Sequence, residues 1–149
     1  MDDIGYDENL VITGLNHITL AVKDLDNSFS FYKNILGFRP RIRWAEGAYF
    51  EVGDLWFCLS LDSQTRIEML AEYTHIAFSV KQNFFKEMSE RIKKSGAIIW
   101  KENKSEGDSL YFLDPDAHKL ELHVGNIETR LKEKKVDDGK WKNIEWFFD

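Results

Sequence analysis

The chain has 149 residues, 43% hydrophobic and 14% aromatic, with a formal net charge of −6. That apolar fraction suits one compact domain, or two small halves sharing a core, and the aromatic fraction argues against a disordered chain. The acidic balance argues against nucleic acid or an anionic membrane as the main partner, and a single cysteine, Cys58, excludes an intrachain disulfide.

The cysteine count fits a reducing compartment, with the cytoplasm as the expectation. The opening residues are acidic, which is not the pattern of a secretory leader, and no run of about 18 apolar residues offers a membrane span. Residues 1–11 read as a flexible acidic arm. From 15 to 22, LNHITLAV reads as a buried strand, with His17 and Thr19 on one face by the two-residue period. Asp24 is a candidate N-cap for an amphipathic helix carrying Leu25, Phe29, Tyr32, Ile35 and Leu36, which Gly37 ends. Three short strands are expected over 39–44, 48–52 and 55–61, with turns at Glu46-Gly47 and Gly53-Asp54.

A polar connection over 62–72 leads to a strand over 73–80, a helix over 84–94 closed by Gly96, and strands over 97–100, 109–113 and 119–124. The same order thus occurs twice. Laid in register, Asn16 to Lys23 matches Thr74 to Lys81, with His17 and His75 both second in the octet. We therefore expect an α+β chain of two βαβββ modules, about 12–62 and 72–125, forming one domain over 12–125. A charged helix over 127–135 and an aromatic terminus make up a C-terminal extension over 126–149.

The repeat register carries the chemistry. If the modules pack about a pseudo-twofold axis, His17 and His75 approach one point, and Glu121 supplies a carboxylate. Two histidines and one carboxylate leave positions open for water and substrate, as a catalytic site requires. Without a thiolate ligand, Mn²⁺, Mg²⁺, Fe²⁺ or Zn²⁺ is expected, and spacing does not choose among them. A lone histidine is most often a half-buried residue with backbone partners; the matched register weighs against that here. His123 shares a strand face with Glu121 and is a rival ligand, ranked lower for want of a repeat mate. His118, in the turn DPDAH, is expected to be exposed. Thr19 points toward the same cavity as His17, although a β-branched residue in a strand needs no further reason. Lys101, Lys104 and Arg130 could balance an anion, an arginine fork suiting phosphonate oxygens. The loop over 103–109 is dense in oxygen donors, but most such loops are turns.

With GLNHITLAVKDL, RWAEGAYFEVG, YTHIAFSV, WKENKSEGDSLYFLDPDAHKLELHVG and the following Arg130, the chain resembles the fosfomycin-resistance glutathione transferases of the vicinal oxygen chelate superfamily over roughly residues 12–131. The histidine motifs and late glutamate are general to that superfamily; the loop KENKSEGDS is more specific. The resemblance implies Mn²⁺ on His17, His75 and Glu121, and Thr19 as the catalytic group at the epoxide oxygen. It implies a phosphonate held by Lys101, Ser105, Ser109, Tyr111 and Arg130, with Trp56 near the drug. It implies K⁺ at Asn103, Ser105, Glu106 and Gly107, and a glutathione channel along Trp44, Glu46, Tyr49, Cys58, Ser60 and Lys104. Glu46 and Lys104 depart from the glutamine and arginine common in similar proteins, and Ala117 replaces the usual glycine of the DPDGH turn. The implied assembly is a homodimer whose metal sites are shared between chains. The expected activity is addition of glutathione to fosfomycin; the alternatives are epoxide hydrolysis, use of another thiol, or drug sequestration without catalysis.

Overall fold

The computed structural model describes residues 11–136 and 139–147. Most of the expected N-terminal arm and the last two residues of the aromatic terminus lie outside them. The chain divides into two compact units, one ending at Thr65 and the other beginning at Arg66.

The first unit runs β1 (His17–Val22), α1 (Leu25–Ser30), β2 (Arg39–Trp44), β3 (Gly47–Val52) and β4 (Leu55–Leu61). Its sheet has the order β1-β4-β3-β2, with β1 parallel to β4 and the other pairs antiparallel. Asp24 caps α1 as expected, its Oδ1 accepting from the Asn27 amide at 3.1 Å. The helix then widens over Phe31–Ile35: the Leu36 amide donates to the Phe31 carbonyl five residues back at 3.1 Å. Gly37, at φ 75°, takes the left-handed turn that ends it. The wide turn aims Phe31 and Tyr32 at the sheet. There Tyr32 and Phe57 are fully buried with ring centroids 4.8 Å apart, and Phe38 and Phe50 complete an aromatic core. Burial of one such ring contributes up to about 3 kcal/mol, so aromatic packing is a main source of cohesion in this small unit.

The second unit runs β5 (Ile76–Ser79), α2 (Gln82–Lys94), β6 (Ile99–Lys101), β7 (Ser109–Leu113), β8 (Lys119–His123) and α3 (Ile127–Lys135). Its sheet order, β5-β8-β7-β6, reproduces that of the first unit strand for strand. The likeness reaches local detail. In each unit the second strand carries a one-residue bulge, at Arg41 between the pairs Pro40↔Phe50 and Ile42↔Tyr49, and at Trp100 between Ile99↔Phe112 and Lys101↔Tyr111. The expected pair of βαβββ modules is therefore the observed architecture.

Element ends differ from expectation where pairing decides them. The strand expected over 73–80 has a ladder only from Ile76, which pairs with Leu120, because β8 begins at Lys119 after a turn. Helix α2 starts two residues early, from an extended Lys81. Helix α3 buries no side chain; it is held at its start by a reciprocal cap in which Asn126 and Thr129 each accept the other's amide at 3.0 Å. In its last turn Lys134 lies 4.2 Å from the ring centre of Trp141.

Candidate metal and anion site

Strand register gathers the second unit's polar residues on one face. Ala77 and Tyr111 both pair with Glu121, Ser79 and Ser109 both pair with His123, and Lys101 pairs with Tyr111. His75, two residues before Ala77, falls on that same face by the strand period. The opposite face carries Phe78, Leu110, Phe112, Leu120 and Leu122, all buried. Alternation along three strands thus separates the chemistry from the core. The bulge at Trp100 returns Lys101 to the polar face and turns the indole N–H to the Leu120 carbonyl at 3.0 Å.

Glu121 is 6% exposed and held from two sides. Its Oε1 lies 3.0 Å from His75 Nε2, and its Oε2 accepts from the Ser109 hydroxyl at 2.7 Å. The other His75 nitrogen, Nδ1, lies 2.8 Å from the Tyr73 carbonyl, an acceptor, so Nδ1 carries a proton. In neutral imidazole Nε2 is then a lone pair aimed at a carboxylate lone pair. Two acceptors at that distance require a proton on one of the two atoms or a cation held by both. Nitrogen and oxygen donors of this kind, with one donor's orientation fixed by a carbonyl behind it, suit a divalent metal. Around them stand Tyr73, Trp100 and Tyr111, whose ring centroids lie 4.8, 5.5 and 6.0 Å from that of His75.

The anion-binding candidates divide into three groups. Lys101 donates to the Tyr73 hydroxyl at 2.5 Å and lies over the rings of Tyr73 and Tyr111, 4.6 and 4.8 Å from their centres. Its pKa is raised, first by the Tyr73 hydrogen bond, against a smaller opposing effect of burial. Asn103 and Ser105 knit the following loop: Asn103 Nδ2 donates to the Gly107 carbonyl at 2.7 Å, and Asn103 Oδ1 accepts from the Ser105 amide and hydroxyl, each at 3.0 Å. Gly107 sits at φ 77°, and a Cβ there would lie 2.4 Å from the Val124 carbonyl oxygen, so the loop admits no other residue in this shape. Arg130 reaches Glu106, its Nε 3.3 Å from the carboxylate and Nη2 3.4 Å from the carbonyl. Lys104 is exposed.

In the first unit His17, Thr19, Trp56, Cys58 and Tyr49 share a face by register: His17 pairs with Trp56, and Thr19 and Tyr49 both pair with Cys58. His17 stacks on Trp56 at 4.4 Å, and Tyr49 bridges Trp56 and Trp44 at 5.1 and 5.0 Å. Gly47 is required beneath Trp44, since a Cβ there would lie 2.6 Å from the indole. Ser60 pairs with Gly47, while Glu46 is exposed and its carbonyl accepts from the Leu61 amide. Burial pushes the Cys58 thiol pKa up, partly offset by the hydrogen bond from Thr19. A protonated, 4%-exposed thiol is a poor nucleophile, in keeping with a packing role. An open cleft of about 680 Å³ lies where the start of α1 meets the end of β2, lined in part by Lys23, Asp26, Arg43, Trp44 and Leu61.

One expectation is corrected. His118 is 6% exposed, not a surface residue, because Asp114 Oδ1 accepts the amides of Asp116 and His118 at 2.9 Å each and folds the turn inward. Sequence reasoning also missed three contributors on the polar face: Tyr73, the ring of Trp100, and the link from His123 Nδ1 to Ser109 Oγ at 2.6 Å. Only the alternation of His123 with Glu121 pointed toward the last.

The family model described as the Glyoxalase/Bleomycin resistance protein/Dioxygenase superfamily matches residues 14–122. A glutathione transferase, FosA, of Serratia marcescens is 50% identical over 123 residues, spanning 81% of this chain and 87% of that protein. A metallothiol transferase, FosB, of Shouchella clausii is 37% identical, spanning 81% and 86%. The solved structure of a variant of the fosfomycin resistance protein FosX from Listeria monocytogenes, complexed with Mn(II) and 1S,2S-dihydroxypropylphosphonic acid, superposes with a TM-score of 0.69 at 34% identity, covering 82% of this chain and 99% of that one. By sequence and by architecture, the chain belongs to the Glyoxalase/Bleomycin resistance protein/Dioxygenase superfamily, among its Fos enzymes.

Proposed function

We propose that the protein is a cytoplasmic, homodimeric, metal-dependent transferase that adds glutathione to the epoxide of fosfomycin and so confers resistance to it. The observation that carries this reading is the facing pair His75 Nε2 and Glu121 Oε1, 3.0 Å apart beside a lysine and an aromatic wall. The FosA relative is named for glutathione transfer, and a FosX relative is complexed with Mn(II) and a phosphonate.

In this reading His17, His75 and Glu121 hold the divalent ion, with His17 supplied by the second copy of the chain. Bound there, Mn²⁺ would act as a Lewis acid as the epoxide C–O bond opens. The remaining work falls to the chain. Lys101, Ser105, Tyr111 and Arg130 neutralise and orient the phosphonate, so that attack becomes effectively intramolecular. Ser109 joins them only by turning its one proton away from Glu121. Arg130 likewise exchanges Glu106 for the phosphonate, leaving Glu106 to a K⁺ bound with Asn103, Ser105 and Gly107. Thr19 turns its one hydroxyl proton from Cys58 to the epoxide oxygen as charge develops there. Glutathione, having released its thiol proton to water, forms a C–S bond through its thiolate sulfur as the epoxide C–O bond breaks. The alkoxide takes a proton back from water, so that the proton count closes. Trp44, Glu46, Tyr49, Cys58, Ser60 and Lys104 line the thiol's approach, with Trp56 beside the drug. Residues 12–125 form the catalytic domain, and 126–149 extend it.

The FosB relative's name and the diol phosphonate in the FosX complex make another thiol, or water, the competing nucleophile. Mass spectrometry of the product separates them. With Mn²⁺, K⁺ and glutathione the protein is expected to consume fosfomycin and form the adduct, and Glu121→Ala to lower the rate by about 1,000-fold or more. A diol product, or a rate untouched by Glu121→Ala, overturns the assignment of nucleophile or of site respectively.

A further inference from the structure

We infer that His123 is a positioning residue: it donates its Nδ1 proton to Ser109, and thereby directs the only Ser109 proton onto Glu121. The inference rests on the proposed role of Glu121 as a metal ligand. Ser109 Oγ lies 2.6 Å from His123 Nδ1 and 2.7 Å from Glu121 Oε2, whereas His123 Nδ1 is 3.3 Å from that carboxylate oxygen. A hydroxyl has one proton to give, and an ionised carboxylate only accepts. Were the proton given to His123, hydroxyl and carboxylate lone pairs would face each other at 2.7 Å with nothing between them. The proton therefore lies toward Glu121, and His123 must supply its own at Nδ1.

Two further features fix the imidazole in that role. Ser109 and His123 are directly opposite in the β7–β8 ladder, so the contact is set by backbone register. Behind the ring, Gly107 and Gly125, at φ 77° and 130°, leave the space it occupies; a Cβ on either would lie 3.1 Å from its Cε1 or Nε2. A ring seated this way presents Nδ1 to Ser109, so His123 supports the carboxylate and is not itself a ligand. Ligand carboxylates supported through such outer hydrogen bonds bind metal more tightly.

The test is Mn²⁺ affinity, measured by calorimetry on the full chain without phosphonate or thiol, together with ¹⁵N NMR of the metal-free protein. NMR is expected to place the His123 proton on Nδ1; a proton on Nε2 alone overturns the inference. His123→Leu should weaken Mn²⁺ binding about 10-fold, while His123→Asn, whose amide nitrogen falls near the Nδ1 position, should stay within about threefold of wild type. Combining His123→Leu with Ser109→Ala should cost no more than Ser109→Ala alone, since the histidine acts through the serine. If His123→Leu does not fold, His123→Gln replaces it, placing its amide near Nε2 instead and losing affinity where Asn retains it. Loss of Mn²⁺ binding in Glu121→Ala but not in His123→Leu overturns this inference alone. Unchanged binding in Glu121→Ala overturns the metal reading beneath it.

Discussion

Lys101 and Glu121 lie on one strand face, each next to Tyr111 in the ladder, and their charges are managed by different partners. Glu121 is fixed by His75 and Ser109, while Lys101 rests on the Tyr73 hydroxyl, which raises its pKa. The sign follows from that direction. A lysine whose folded pKa is raised keeps its cation to higher pH; the stability it adds is present below the unfolded pKa and is lost as pH rises through the folded one. Because the Tyr73 oxygen accepts from the ammonium, its own proton stays free to donate to a bound anion. Tyr73→Phe should therefore return the Lys101 pKa toward that of ordinary lysine, as followed by its ¹³Cε shift against pH. It should also raise KM for fosfomycin roughly three- to tenfold with less effect on kcat, the loss of one charge-assisted bond. An unmoved Lys101 titration would rule out the Tyr73 hydroxyl as its cause. His75 and Glu121 were readable from repeat and period, because each depends on its own place in the chain; Lys101 was named as a cation for an anion, but its face was not readable, since the bulge at Trp100 sets it. Tyr73 was not readable, and His123 was read only as a rival ligand, since the meaning of each lies in the residue it meets in the folded sheet.

At the scale of elements, the turn between β7 and β8 departs furthest from local rules. Ala117 sits at φ 62°, a left-handed conformation in which a Cβ costs roughly 1–2 kcal/mol. Asp114 holds the turn regardless: its carbonyl accepts the Ala117 amide at 3.0 Å, and its carboxylate accepts those of Asp116 and His118. Replacing Ala117 by glycine removes the strain but adds freedom to the unfolded chain, worth about 0.4–1 kcal/mol in the other direction. The expected net gain for Ala117→Gly is about 1 kcal/mol, or roughly 3 °C in Tm, read by thermal unfolding. A loss of stability would show that the turn is not strained. The substitution stands out in the sequence, where DPDAH replaces DPDGH, but the burial of His118 does not, because it depends on three amides converging on one aspartate. The same holds for the bulges at Arg41 and Trp100 and for the wide turn after α1. Alternation and turn residues announce that a strand or helix exists; where it shifts register is decided by its neighbours.

For the whole molecule, the decisive question is whether one chain completes a metal site. The two units repeat one architecture, with His17 entering β1 as His75 precedes β5, yet their surroundings differ. His75 faces Glu121 at 3.0 Å, whereas His17 is exposed, with Nδ1 on Asn16 at 2.7 Å and its ring on Trp56. In the proposed dimer each site takes His17 from one chain and His75 with Glu121 from the other. Complementation tests this directly. His17→Ala and Glu121→Ala homodimers should each be inactive, because both of their sites lack a ligand. In a mixed dimer, one site combines both defects, while the other receives intact His17 from the Glu121→Ala chain and intact His75 and Glu121 from the His17→Ala chain. Random reassortment of an equal mixture makes about half the dimers mixed, each with one whole site, so about a quarter of wild-type activity should return. If all three ligands came from a single chain, every site in the mixture would stay defective and no activity would return. Size-exclusion chromatography of the unmixed and mixed proteins checks that the dimers survive the substitutions, so a null result would refer to the arrangement of the site.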